Sequence, residues 1–548
     1  MHLEDVQIQC GGHFRMVRFT GSISTDSTGG TSTITLNGTS GTQILNGGVS
    51  NTFDNFIINN TGDSVRMNTA LNVSGDLTIS AGILDLNGYD FSLTGALYNS
   101  GILQLQGAET VSIGTMDYDS GTVTYVGDGD AAGDTYTIKD FGANDYYHLV
   151  INSTDGTTDA FELGENIDTD GDFTITAGTF NTSDGTDRDM DIAGNVDIDG
   201  VFTANSSTIT ASGDWNSSGG TFNYDTSTVN LTGTGNLTSN GNDFYNLTVA
   251  SAGQTTTLQS HFRVRNICTL GTGTLTGNYR LALYLPVSTT PLVNMGASVS
   301  ISELRYIIAD NRTYTVTGGT YTLSGASGFN MLSEWNDVTF NLDSDLTVNG
   351  IITVTPWAGV TITFNTQNNA VTATGLSLGL TGTLSNVAVN SGSSNIDLGT
   401  SGLDTLNDSG SHTLNLGSTT VTCEGNWELV DGSGSISQNA GSSTITFDGT
   451  TDQTITTGGN AFNDLTFDNP GSSFIINGLL DVDGVLTITD GNLDLDTNDP
   501  DVSTAGNVTI DTSGSVTNGT GTWTFDGITN FTDNSSGGPQ NLGNVVVD

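Results

Sequence analysis

The chain has 548 residues and carries 59 acidic against 10 basic residues, a formal net charge of -49. This charge excludes nucleic acid as a natural ligand, because phosphate binding needs Lys and Arg, and it predicts repulsion from anionic membrane surfaces. No stretch approaches the run of about 18 apolar residues that crosses a bilayer as a helix. No membrane span is therefore predicted.

The composition favours short strands and turns over helices. The chain contains 73 Gly, 51 Asp and 8 Glu, and 34% of its residues are hydrophobic. Asp favours turns whereas Glu favours helices, so the acidity is placed in turns. Val, Ile, Leu and Phe alternate with polar residues along the whole sequence, which argues against disorder.

A strand-like phrase recurs about every 90 residues, and this spacing indicates a repeat architecture. Each copy has an aromatic or apolar residue followed three positions later by another apolar residue that opens a β pattern. The copies are TFDNFII at Phe53, DYYHLVI at Tyr146, DFYNLTV at Phe244, EWNDVTF at Trp335, AFNDLTF at Phe462 and NLGNVVV at Leu542, with a weaker copy, TLSNVAV, around Leu384.

A second phrase follows several of these copies. It reads NVSGDLTISAGILDLNG from Asn72, DTDGDFTITAGTFNTSDG from Asp168 and DVDGVLTITDGNLDLDTND from Asp481. Strands of four to six residues alternate here with Gly, Asn-Gly and Asp-Gly turns, which supply positive φ at little steric cost. No helix is predicted.

These patterns predict an all-β fold, a parallel and right-handed β-helix or β-solenoid with about 20 to 25 residues per turn. Each turn would bury its apolar side chains against its neighbours and pair its backbone with the turns above and below. The alternative is a row of tandem β-sandwich domains of about 90 residues each, which the same period allows.

The chain divides into four predicted segments. They are an N-terminal segment that could be a docking end (1–30), solenoid repeats (31–279), a divergent, less acidic solenoid segment with an insertion (280–410), and further repeats that end in an uncapped strand (411–548). The open ends leave two alternatives: a piece of a longer repeat protein, or a subunit whose ends dock head to tail in a fibre. No secretion signal follows Met1.

Asp-rich turns are the candidate metal sites. Calcium takes carboxylate and carbonyl oxygens, which alternate Asp residues in a Gly-rich turn can supply, although a solvated Asp in a turn explains each site equally simply. No EF-hand loop and no calcium β-roll repeat is present. The candidate ligands are Asp128, Asp130 and Asp134 in the first turn, Asp168, Asp170 and Asp172 in the second, and Asp481 and Asp483 in the third.

Half of the basic residues fall close together, between positions 263 and 312. One interpretation is a degenerate repeat with a local insertion. The other is a contact patch that receives an acidic face of a neighbouring subunit, because opposite potentials would set the register of the two surfaces. The residues of this predicted patch are Arg263, Arg265, Arg280, Arg305 and Arg312.

The sequence does not favour an enzyme. It has no Gly-x-Ser-x-Gly elbow, no phosphate-binding Gly-rich loop with Lys and no His-Glu-x-x-His motif. Trp215 and Trp427 occupy a repeated slot that Leu77 and Phe173 fill elsewhere, which predicts core positions rather than sugar-stacking platforms.

Residues 425 to 467, which begin Gly-Asn-Trp and contain Ser-Thr-Ile-Thr-Phe-Asp-Gly and Phe-Asn-Asp-Leu-Thr-Phe, carry a family resemblance. They resemble the β-strand repeats of very large bacterial and archaeal surface proteins, similar in style to filamentous-haemagglutinin-like adhesins and autotransporter passengers. The likeness covers most of the chain except about 280 to 410 and supplies no catalytic residues.

The resemblance implies an extracellular or cell-surface protein. We expect a structural protein, the self-associating subunit of a filament or stalk assembled by stacking of solenoid ends, with calcium as the one cofactor considered. The alternative is a fragment of a large adhesin that binds glycan or a host protein. A third alternative is a polysaccharide-degrading β-helix.

Overall fold

The computed structural model describes residues 32–46, 52–142, 145–357, 359–406, 409–430, 432–527 and 529–548, together with the strands His2–Leu3, Gln7–Cys10, Phe14–Arg15 and Ser24–Thr25. The predicted segment 1–30 therefore lies almost wholly outside the described residues. The chain forms two compact units, Met1–Phe262 and Arg263–Asp548. The finer division into four segments stays a prediction.

Each unit is a parallel β-solenoid, and together the units contain about 23 turns. Every pairing between named strands joins a turn to the next in the parallel sense, as Met190 with Ile209 and Gly319 with Leu346 show. These partners lie 19 and 27 residues apart along the chain, which brackets the predicted turn length. Sandwich domains are built from antiparallel sheets, so the sandwich alternative is excluded. The described residues contain no helix.

The strands of the first unit are short and follow one another through tight turns. After residue 32 they are Thr33–Leu36, Gln43–Asn46, Thr52–Phe53, Asn55–Met67, Leu71–Val73, Leu77–Asp85, Phe91–Asn99, Ile102–Leu105, Val111–Thr115, Thr122–Tyr125, Thr135–Ile138, His148–Asn152, Ala160–Leu163, Ile167–Thr169, Phe173–Ala177, Thr179–Asn181, Met190–Ile192, Val196–Ile198, Val201–Thr203, Thr208–Ala211, Trp215–Asn216, Thr221–Asn223, Thr228–Leu231, Gly235–Thr238, Asp243–Val249 and Thr255–Leu258.

The division between the units falls in the strand Phe262–Leu270. The strands of the second unit that follow it are Thr274–Thr276, Arg280–Tyr284, Leu292–Asn294, Ser298–Ile301, Glu303–Ile308, Thr313–Val316, Gly319–Leu323, Phe329–Ser333, Val338–Leu342, Leu346–Pro356, Thr361–Asn365, Val371–Leu378, Asn386–Asn390, Asn395–Thr405, Ser411–Asn415, Thr420–Cys423, Trp427–Leu429, Ser435–Asn439, Thr444–Phe447, Gln453–Thr456, Ala461–Phe462, Asp464–Asn477, Leu480–Val482, Leu486–Asp494, Val502–Thr504, Val508–Thr517, Thr522–Phe525, Phe531–Asp533 and Asn544–Val547.

The core of the first unit contains a continuous column of aromatic side chains. Phe202 contacts Phe180 and Phe222 on the neighbouring turns at ring distances of 5.3 and 5.4 Å. Trp215 contacts Phe222 and Phe244 at 5.1 and 5.7 Å. Edge-on and tilted ring contacts of this kind add to the burial of apolar area, so the column links the turns through their interior.

The second unit carries a ladder of asparagine amides at one strand end. Each side-chain Nδ2 donates to the Oδ1 of the Asn one turn before it, at 2.8 Å from Asn365 to Asn341, 2.7 Å from Asn390 to Asn365 and 2.6 Å from Asn415 to Asn390. Asn439 extends the ladder by donating to Asn415. Stacking of identical residues thus satisfies donors and acceptors at a corner where the backbone turns.

Candidate functional site

One of the predicted Asp turns brings its carboxylates together. Asp128, Asp130 and Asp134 each offer an oxygen, and these three atoms lie within 4.8 Å of one another. They belong to residues 126–134, here called the Asp loop, between the strands Thr122–Tyr125 and Thr135–Ile138. Desolvation raises the pKa of Asp134, and the charges of Asp128 and Asp130 raise it further.

The other predicted metal turns do not converge in this way among the described residues. Asp172 accepts a hydrogen bond from the Asn195 amide at 2.8 Å, and its own amide donates to Nδ1 of His148 at 2.8 Å. The same nitrogen lies 3.6 Å from Oδ2 of Asp172. Desolvation raises the pKa of Asp168, whose neighbours include Asp170.

Asp481 and Asp483 lie at the strand Leu480–Val482 of the second unit. Desolvation raises the pKa of Asp481, and the charges of Asp483 and Asp526 raise it further. These carboxylates repel one another but do not form a three-ligand group with any other His, Cys, Asp or Glu that the structure describes.

Four of the five predicted patch arginines gather on the outward side of one sheet; this group, Arg263, Arg265, Arg280 and Arg305, is the arginine face. The guanidinium carbons of Arg263 and Arg265 lie 5.1 and 4.3 Å from the ring centroid of Tyr284, within the range of cation–π attraction.

Glu303 is the carboxylate partner of the other two arginines of this face. Arg305 reaches it at 2.6 Å and Arg280 at 3.7 Å. Desolvation lowers the pKa of Arg280, and the neighbouring charges of Arg305 and Arg263 also lower it. The arginine face therefore brings four guanidinium groups and the Glu303 carboxylate together on one surface, in a chain of net charge -49.

The fifth predicted arginine belongs to a different group. Arg312 pairs with Asp310 at 2.5 Å and donates to the carbonyl of Val287 at 2.7 Å and to the hydroxyl of Tyr314 at 2.8 Å. Desolvation raises the pKa of Asp310, but hydrogen bonds from Arg312 and Tyr314 to its carboxylate outweigh this effect and lower the pKa. Arg312 thus ties together the corner between the strands Glu303–Ile308 and Thr313–Val316.

The second unit also exposes an apolar corner that sequence reasoning missed. Trp335 is 68% exposed, Trp357 52% and Leu384 47%. The strands that follow them pair in register, Val338 with Ile362 and Ile362 with Val387, so the three side chains occupy one corner of three successive turns. We call these three residues the aromatic corner.

The sequence pattern misassigned this corner. Trp335 and Leu384 were grouped with the recurring phrase, and the copies at Phe53, Tyr146, Phe244 and Phe462 are each 1% exposed or less. The copies at Trp335 and Leu384 precede strands of a separate six-stranded sheet instead. The spacing of about one turn between Trp335 and Trp357 was the signal that could have found the corner.

Two further residues that the sequence did not single out lie under the Asp loop. Asp159 is fully buried, and Tyr136 is 6% exposed with a hydroxyl that has no hydrogen-bond partner. Desolvation raises the pKa of Tyr136, and the charges of Asp128, Asp159 and Asp134 raise it further. Asp159 comes from the next turn, whereas Tyr136 belongs to the strand Thr135–Ile138 that follows the Asp loop directly.

The described cysteines Cys268 and Cys423 are free and buried. Burial raises the pKa of both thiols to about 12, so neither is a reactive thiolate at neutral pH. The side chain of Cys10 lies outside the described residues.

Comparison of the chain with family models, with curated proteins and with solved structures finds no match. Among the described residues, no helix is both long and apolar enough to cross a membrane.

Proposed function

We propose that this protein is an extracellular structural element, the subunit of a cell-surface filament or stalk in which copies associate with one another. The arginine face is the observation that carries this proposal. It concentrates cationic charge on one surface, whereas the net charge of the chain is -49, so the acidic flank of a second copy is its electrostatic complement.

The parallel ladder supports a mechanical role. Each turn is fixed to the next by backbone hydrogen bonds, by the aromatic column of the first unit and by the Asn ladder of the second. Within each unit, stacked turns joined in this way resist deformation, because each interior turn packs against the turn before it and the turn after it. Salt water or bound cations would screen the acid load, which supports an extracellular setting.

Electron microscopy of the purified protein tests the proposal. We expect fibres, and we expect R265E/R305E to abolish them while the β-sheet circular dichroism is unchanged, because the variant reverses the charge of the face that receives the acidic flank. R188E is the control, because Arg188 pairs with Glu165 at 3.0 Å in the first unit and lies outside the arginine face. Fibres that form equally in R265E/R305E would rule the arginine face out as the contact.

A second candidate function is binding of glycan by the side of the solenoid, and the aromatic corner favours it. Trp335 and Trp357 present indole rings to solvent one turn apart, about 4.8 Å along the stack, and flat aromatic faces pack on the apolar faces of sugar rings. Binding of neutral polysaccharides to the wild type but not to W335A/W357A, in an affinity gel, would support this function over the first.

A further inference from the structure

The Asp loop of the first unit is stacked on the equivalent loop of the next turn, residues 153–159. The Asp155 carboxylate accepts the Gly129 amide at 3.1 Å and the Ala131 amide at 3.2 Å. Asp159 accepts the Asp134 amide at 3.2 Å. Carboxylates of the second loop therefore hold three backbone amides of the Asp loop, and the Asp128 and Asp130 carboxylates accept the amides of Asp130 and Ala132 within the Asp loop itself.

The approach of the two loops depends on a glycine. Gly127 has a φ of 71°, and a Cβ built on it would lie 2.0 Å from Oδ2 of Asp159. No other residue allows the buried Asp159 carboxylate to lie so close beneath the loop. Its second bond comes from the Ser153 hydroxyl at 3.2 Å.

The two loops thus gather five carboxylates. Among the residues that the structure describes, no Lys, Arg or His forms an ion pair with any of them. Carboxylates at this density repel one another strongly unless a cation neutralises them. The five are Asp128, Asp130, Asp134, Asp155 and Asp159.

A buried hydroxyl is directed at the same place. The Tyr136 side chain is 94% buried, stacks on Phe161 at a ring distance of 5.4 Å, and ends in a hydroxyl without a hydrogen-bond partner. Besides desolvation, the charges of Asp128, Asp159 and Asp134 raise the pKa of this hydroxyl and the nearby backbone amide of Asp128 lowers it, while no group accepts the hydroxyl proton. Since buried hydroxyls are almost always bonded, its missing partner points to a group that belongs between it and the carboxylates.

We propose that the Asp loop binds one calcium ion through Asp128, Asp130 and Asp134, above the Tyr136 hydroxyl. Calcium binds oxygen ligands at about 2.4 Å, so two ligands on opposite sides of the ion lie about 4.8 Å apart. The three Asp oxygens lie within that limit. Backbone carbonyls and water complete the coordination, and the hydroxyl of Tyr136 donates to a ligand oxygen on the inner side.

Terbium luminescence of the full chain, with calcium as competitor, tests the site. Bound terbium emits when a nearby tyrosine is excited, and calcium should displace it. We expect D128N/D130N/D134N to lose the emission and to weaken calcium affinity at least tenfold. Asn preserves the local acceptors for the amides of Asp130 and Ala132, so the fold should be unchanged.

The matched control is D168N/D170N/D172N, which removes the same charge from a turn whose carboxylates do not converge. It should leave the emission and the affinity unchanged. Equal losses in both triple variants, or no loss in either, would show that the ion atmosphere of an acidic chain is being measured and would overturn the proposal. D130N alone, at an exposed position, repeats the test with one conservative change and should reduce affinity several-fold.

Y136F tests the placement of the ion. The Phe ring keeps the stack on Phe161, so the turn should fold normally, whereas the sensitised emission should fall by more than half. Calcium affinity measured by calorimetry should fall only several-fold, because three carboxylates remain. Emission that is unchanged in Y136F would show that the ion does not lie beside Tyr136.

Discussion

The five tryptophans divide into two environments. Trp215, Trp427 and Trp523 are 2% exposed or less, whereas Trp335 and Trp357 are more than half exposed. The buried three stand inside strands whose neighbours alternate inward and outward, and the exposed two stand at a corner between strands. Residue type alone therefore does not decide burial; the position within the turn does.

The buried tryptophans show how strongly packing dominates the interior. The indole Nε1 atoms of Trp215, Trp427 and Trp523 have no hydrogen-bond partner. An unsatisfied buried donor costs about 1 to 3 kcal/mol. Burial of the large apolar ring outweighs this cost, since fully burying a large apolar side chain contributes about as much or more. An indole at a corner position gains no comparable burial, because its ring is mostly exposed. Such a ring is available to contact another molecule.

The largest expected effect comes from removing an inward ring. W215A should destabilise the first unit by about 3 to 5 kcal/mol, because it leaves a cavity between Phe222 and Phe244. Denaturant unfolding followed by hydrogen exchange in this unit would measure it. W215F is the control and should cost much less, because it keeps an aromatic ring and removes the unsatisfied N–H. A loss below 1 kcal/mol in W215A would break the distinction between inward and corner positions.

The next largest effect, a pH dependence of stability, is expected from Asp145, a corner residue that is buried. Asp145 is 1% exposed and accepts the amides of Phe141 at 2.7 Å and Asp168 at 3.2 Å. Desolvation nevertheless raises its pKa from 3.8 to about 6. The folded state then binds a proton more tightly than the unfolded state, so stability falls as pH rises from about 4 to about 6 and is lowest above that range.

The size of this pH effect follows from the shift. At about 1.4 kcal/mol per pKa unit, Asp145 lowers the stability of the first unit by roughly 2 to 3 kcal/mol at pH 7 relative to pH 4. Unfolding free energies measured across this range should decrease with pH in the wild type and decrease less in D145N, which has no charge to bury. Parallel pH profiles for the two proteins would show that Asp145 is not the group responsible.

The Asn ladder is intermediate in burial, since Asn365, Asn390 and Asn415 are half-buried at the ends of their strands. N390A removes the bond to Asn365 and the bond from Asn415, and should cost about 1 to 2 kcal/mol. N349A is the matched control, because the exposed Asn349 makes one long bond of 3.3 Å to Thr322 and should change stability little. Thermal unfolding of both variants provides the measurement, and equal melting temperatures would mean that the ladder adds nothing to the pairing of the strands.

The inward positions could be predicted from the sequence, and the corners could not. Alternation marks the inward residues directly, so the core slots of Trp215 and Trp427 were predicted correctly. A corner depends on which residues lie one turn apart. Because turns differ in length by several residues, the sequence does not reveal that register.

The unknown register between neighbouring turns also explains why the sequence could not distinguish among the three predicted metal sites. Three Asp turns look equivalent along the sequence, yet only the Asp loop gathers three carboxylates among the described residues. Its distinguishing contacts are with Asp155 and Asp159 of the next turn and with Tyr136 of the strand that follows the loop. The arginine face was predicted more fully, because its members lie close together in the sequence, although Arg312 belongs elsewhere.

The smallest expected effect on stability is at the aromatic corner, and a small effect there would separate corner positions clearly from inward positions. W335A/W357A should change the free energy of unfolding by no more than about 0.5 kcal/mol, because each ring is mostly solvated and contacts no other ring that the structure describes. Denaturant unfolding of the second unit would measure this. A loss comparable to that of W215A would mean that the rings support the corner. An unchanged stability would leave the two indoles without a structural role, which is the condition that a binding surface must meet.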